Sequence, residues 1–165
     1  MTLEQQKLLS TITRANYAWL RQLAAVGLVD IQQIDAVITD VVRARMQLAR
    51  GLLAEGKRIK SQSQVTQRQI ISLAYYCQYH AARAVVLHVH RFDCDSHEQL
   101  PLEIEKILGK AAQDSLTHWR KMRNKADYEP FIDFDLKREA GNALEAAATF
   151  VRTCRGFLKK RGVKL

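Results

Sequence analysis

Helix-breaking residues are scarce in this chain, with two prolines and seven glycines among 165 residues. Proline removes a backbone donor and glycine carries extra backbone entropy, so their scarcity leaves long stretches able to stay helical. Alternating strand patterns are nearly absent as well. Cysteine is rare: Cys77, Cys94 and Cys154 are an odd number, without CxxC or HxxxH spacing nearby, which argues against a zinc site. Cys77 falls in an apolar helical run and reads as a small core residue. No apolar run of about 18 residues occurs, so no membrane span is expected. The opening MTLEQQKLLS lacks a basic segment followed by an apolar one, so no signal peptide is expected. Together these absences point to a cytoplasmic, reducing setting without metal or other cofactor.

Acidic residues are also in deficit. Seventeen Asp and Glu stand against 26 Lys and Arg, for a net charge of +9 and a pI near 9.7. Such an excess suits a polyanion such as RNA, DNA or a nucleotide, through phosphate attraction and counterion release. Plain solubility is the simpler alternative.

What is present is helical periodicity. Residues 2–25 set Leu8, Ile12, Ala15, Trp19 and Leu23 three and four apart, one apolar stripe. Gly27 reads as a stop and Asp30 as the N-cap of a helix from Ile31 to about Leu53, with Gly56 opening a polar, basic connection. Thr66, or a residue shortly before it, caps QRQIISLAYYCQYHAARAVVLHVH, which is apolar over most of its circumference and should be the central helix. A loop at RFDCDSHEQLP follows, then a helix over residues 101–127, a link at YEPFIDF and a last helix from about Asp135 to Lys160. The basic tail beyond it should fray. The expectation is an all-α, up-and-down bundle of about five helices, with residues 1–29 a helical extension and 30–165 one compact domain.

Two stretches carry the candidate chemistry. On the central helix Tyr76, His80 and Arg83 lie on one face and suggest a polar layer, beside Tyr75 and Tyr79 on the next. Aromatic packing alone would explain the same pattern. Further on, THWRKMRNKADYEPF crowds Arg120, Lys121, Arg123 and Lys125 into six positions. Arg123 is four residues from both Asp127 and Trp119, so it could form a helix-end ion pair and stack on the indole. Alternatively Arg123 and Asn124 face a phosphate, for which a guanidinium fork is well suited. His97, in a loop after Asp93 and Asp95, is expected in solvent.

SLAYYCQYHAARAVVL and RNKADYEP, in that order, together resemble the HEPN domain, a helical bundle of nucleotide-associated proteins. The first is similar to its central helix and the second to the ending of a large subgroup, while DSHEQLPLEIEKIL occupies the place where such proteins often carry a Ser-His or Thr-His pair. The resemblance covers roughly residues 64–155. It implies a four- or five-helix bundle, often dimeric, that meets RNA or nucleotides and works beside a nucleotidyltransferase or another component of a bacterial or archaeal defence or toxin-antitoxin system. In the family's ribonucleases the motif is Arg-x4–6-His. Here Arg123 and Asn124 match its start, but Tyr128 stands five positions after Arg123, and no His follows His118. The expected function is therefore a binding or accessory module without full catalysis, with Arg123, Asn124 and Tyr128 marking the ancestral site and Arg120, Lys121 and Lys125 widening the positive patch. The alternatives are a metal-independent endoribonuclease toxin, using Tyr128 or a relocated histidine among His80, His97 and His118, and a protein–protein adaptor.

Overall fold

Capping residues decide where most of the helices begin. The computed structural model describes residues 3–165, which form seven α-helices and, among the described residues, no strand. In chain order these are α1 (Leu3–Ser10), α2 (Arg14–Ala25), α3 (Ile31–Arg58), α4 (Gln64–His90), α5 (Gln99–Leu108), α6 (Lys110–Tyr128) and α7 (Leu136–Lys160). Asp30 caps α3 by accepting from the Gln32 amide at 2.8 Å, and Asp135 caps α7 by accepting from Arg138 at 3.1 Å. At α4 the cap is Ser63. Thr66 answers as the third helical residue of a capping box, accepting from the Ser63 amide at 3.1 Å.

The all-α bundle is as expected, but two of the anticipated helices are each divided. The stretch 2–25, whose first residue lies outside the described ones, breaks at Thr11–Thr13, where Thr13 caps α2. Of its apolar stripe only Ile12 is buried; Leu8 and Trp19 are 73% and 58% exposed. The stretch 101–127 breaks at Gly109, whose φ of +87° is a conformation that side-chain-bearing residues rarely adopt. Pro101 fits inside the first turn of α5, where its missing N–H removes no helical hydrogen bond.

Gly56 departs from expectation in the opposite way. It opens no connection, because α3 continues through it to Arg58. A Cβ there would stand 3.0 Å from Cδ2 of Leu144 and 3.7 Å from Cβ of Leu73, so the missing side chain lets α7 and α4 approach. The basic tail is likewise docked rather than frayed. Val163 is 4% exposed, its amide donates to the Leu158 carbonyl at 3.1 Å, and Arg43 Nε donates to the Lys164 carbonyl at 3.2 Å.

The core is built around α4, which packs against both α3 and α7. Ala81, Ala82 and Ala84 on α4 and Ala140, Ala143 and Ala147 on α7 are buried and short enough for close helix approach. Ile70, Ile71 and Leu87 of α4 fill the space between, each adding roughly 1.5–3 kcal/mol by leaving water. Cys77 and Cys154 belong to this interior, and burial pushes the Cys77 thiol up to about 12. Among the described residues no helix is long and apolar enough to cross a membrane.

Candidate functional site

The C-terminal half of α6 lies along the tyrosine face of α4, so its basic run meets aromatic rings. Arg123 is the centre of this contact. Its Nη2 donates to the Tyr76 hydroxyl, its Nη1 donates to Asn124 Oδ1 at 2.9 Å, and its Nε stands 2.9 Å from Asp127 Oδ2. That last contact is an ion pair without a formed hydrogen bond. Asp127 in turn accepts from Ser72 of α4. The guanidinium carbon is 4.9 Å from the Tyr76 ring centre and 5.7 Å from those of Tyr75 and Tyr128. Such distances are within cation–π range.

The pairing with Asp127 is the one the sequence spacing suggests, but the stacking partner is not. Trp119 is 5% exposed and packs edge-on against His118 at 4.8 Å, so the tyrosines take its place around Arg123. The Arg123 side chain retains 13% of its exposure. Tyr128 is 74% exposed, and Asn124 and Lys121 lie beside it on the surface.

The other cations of the run differ in availability. Arg120 donates from Nη1 to the His97 carbonyl at 2.7 Å and holds Glu98 more loosely at 3.9 Å. Lys125 is matched by Asp133 at 3.0 Å. Lys121 is exposed and, among the described residues, in no ion pair. The positive patch is thus partly balanced by Asp127 and Asp133, and Lys121 is its open end.

His97 is not the solvent-exposed loop residue expected. The Tyr75 hydroxyl meets its Nδ1 at 2.6 Å, and its ring stacks on Tyr79 at 4.3 Å. Burial lowers its pKa below 6.5, and the positive fields of Arg123, Arg120 and Arg83 lower it further. The imidazole is neutral at pH 7. Burial pushes the Tyr75 phenol up, so it keeps its proton and can either donate to Nδ1 or accept from it. With Nδ1 as the donor, Nε2 is left as a base; with Nδ1 as the acceptor, Nε2 carries the proton.

Tyr76, His80 and Arg83 do not form one polar layer. Tyr76 belongs with Arg123. Arg83 turns to the loop after α4, where Asp93 accepts from its Nε at 3.1 Å, from its Nη2, and from Nη1 of Arg45 on α3. Burial opposes ionisation of Asp93, but these hydrogen bonds outweigh it and hold the carboxyl below its ordinary range. The Asp93 amide donates to the Ile12 carbonyl at 2.7 Å, which ties the loop to the α1–α2 corner. His80 touches the edge of Tyr79 at 5.3 Å and faces away from Arg123, toward α1 and α3.

Arg45 escaped the sequence reading, although it carried a signal. It interrupts the buried series Ile38, Val41, Val42, Met46 and Ala49, and a lone arginine on a core face needs a buried acid. Among the described residues no group of three or more His, Cys, Asp or Glu side chains could hold a metal ion.

No protein-family model matches this chain, and no curated protein matches it in sequence. The geometry and the sequence motifs carry the functional reading.

Proposed function

We propose that this chain is a HEPN-type module that binds single-stranded RNA, or the phosphates of a nucleotide, at the C-terminal end of α6. The carrying observation is the exposed Tyr128 ring with the Arg123 guanidinium 5.7 Å from its centre. An aromatic face backed by a cation suits an unstacked base, and such stacking is worth about 1–3 kcal/mol per base. Lys121 and Asn124 beside it reach the neighbouring phosphate and sugar. Arg123 acts from beneath, fixed by Tyr76 and Asp127 and so presented without further ordering. The net charge of +9 adds the long-range attraction. On this reading the module acts in the cytoplasm as a homodimer, beside a nucleotidyltransferase or another defence component.

Fluorescence anisotropy with a labelled single-stranded RNA tests it. Tyr128→Ala should weaken binding roughly 5- to 150-fold, the loss of one stacked base. Unchanged affinity removes Tyr128 from the interface and with it this reading.

The Tyr75–His97 contact favours a second reading, metal-independent RNA cleavage. His97 would take the proton of a ribose 2′-hydroxyl as that oxygen attacks phosphorus. Arg120 and Arg123 would stabilise the charged intermediate, and the 5′-oxygen would leave with a proton from solvent. RNA incubated with the pure chain should then be cut, and His97→Gln should abolish the cutting. Intact RNA at high protein concentration contradicts cleavage and leaves the binding reading in place.

A further inference from the structure

We propose a second ligand site, for a small phosphomonoester of about nucleoside monophosphate size, in the open cavity between α1, α3 and α4, where Lys7, Arg45 and Arg83 would hold the phosphate. The cavity has a volume of about 460 Å³ and no part in the Arg123 site. That volume lies within the range of small-molecule pockets.

Charge balance is the first argument. Arg45 and Arg83 share the carboxylate of Asp93, Arg45 also donating from Nη2 to the Ser10 carbonyl at 2.5 Å, and the side chains of Arg45, Arg83 and Asp93 are only 10%, 14% and 4% exposed. Two guanidiniums against one carboxylate leave a poorly solvated positive charge, which is costly unless an anion meets it. Lys7 on α1 adds a further charge at the cavity wall. The acid that lines the cavity, Asp40, is already paired with Arg43, and Asp95 lies on an exposed part of the loop.

Donor chemistry is the second. The Ser10 hydroxyl donates to the Lys7 carbonyl at 2.7 Å and that of Thr11 to the Leu8 carbonyl at 3.4 Å. Their protons are engaged, so apart from the neutral His80 ring the donors left at the wall are the cations Lys7, Arg45 and Arg83, which favour an anionic oxygen over a neutral group. Guanidinium and ammonium together suit the several oxygens of a phosphate. Flanking Arg45 on the same face of α3, Val41 and Leu48 offer an apolar surface for the body of the ester.

His80 reports on this field. Its pKa is pushed down to about 4, first by burial and then by Arg83 and Arg45, with Asp93 opposing and neighbouring His97 adding slightly. A bound dianion would reverse the part due to charge. The site stands independently of RNA binding at α6.

The test follows the His80 ring by ¹H–¹⁵N NMR of the full chain, in potassium chloride alone and with inorganic phosphate or adenosine monophosphate at matched ionic strength. At saturating ligand the His80 pKa should rise by about one unit or more. Lys7→Ala should weaken binding several-fold; Lys7 is exposed and, among the described residues, in no ion pair, so the variant should fold. Tighter binding of adenosine monophosphate than of phosphate supports the apolar wall. Equal affinity supports the phosphate site and removes that wall from it. No movement of His80 with either ligand at millimolar concentration, or equal movement in chloride, overturns the proposal.

Discussion

Tyr75 and His97, 22 residues apart in sequence, meet at 2.6 Å between the phenol oxygen and Nδ1. The contact joins the most buried face of α4 to the loop before α5 and gives the imidazole one orientation. Tyr75→Phe keeps the ring packing and removes the oxygen. It should lower stability by about 1 kcal/mol in urea unfolding. It should also bring the ¹⁵N shifts of the two His97 ring nitrogens closer together, as the tautomers mix. Unchanged nitrogen shifts would show that something else orients the ring.

Asp93 pairs with both Arg45 and Arg83. Asp93→Asn leaves two guanidiniums without their counter-charge and should destabilise the fold by about 3–5 kcal/mol. Urea denaturation measures it. A loss well under 1 kcal/mol would mean that solvent already screens both arginines.

How much of this was legible in the sequence varies with how local each feature is. The helical class followed from the 3.6-residue period, and Asp30 and Asp135 mark helix starts because a cap acts within three residues of itself. The Arg123–Asp127 pair was readable for the same reason, being four apart on one helix. His97 was not, because its surroundings come from Tyr75 and Tyr79 across a loop whose path no local pattern encodes. Nor could spacing tell that Trp119 turns into the core while the tyrosines of α4 surround Arg123. Gly56 and Gly109 make the point with one residue type: a helix runs through the first, where α7 and α4 come close, and breaks at the second, where the backbone takes a φ of +87°.

Glycines within the helices give a paired stability test. Gly51 on α3 has nothing within 4 Å of where a Cβ would lie, so Gly51→Ala should stabilise the chain by roughly 0.5–1 kcal/mol. Gly56→Ala should gain less or lose, because Leu144 must yield from 3.0 Å. Thermal melts of the two variants should separate in that order. Equal gains would contradict the close approach of α7 to α3.

Acid should weaken the fold before its carboxylates titrate. His80 and His97 are harder to protonate in the folded chain than the ordinary 6.5, so below that value the unfolded chain binds more protons. Stability is then fully present above about pH 6.5 and is lost as the pH falls, for His80 down to its folded value of about 4. Asp93, held below its ordinary range, stays ionised through most of this window. Urea midpoints should therefore fall between about pH 7.5 and about pH 5, with His80→Gln removing about 1 kcal/mol of the fall, a figure reduced for its partial exposure. A His80→Gln profile parallel to the parent's would contradict it.

The salt dependence of RNA binding tests the central claim most directly. Lys121 is an exposed cation at the open end of the α6 surface, in no ion pair among the described residues. Titrations of labelled single-stranded RNA at several salt concentrations should give, for Lys121→Ala, weaker binding and a log–log slope shallower by about 0.7, the loss of one phosphate contact. A variant that binds with the parent's affinity and slope would contradict RNA binding at the end of α6.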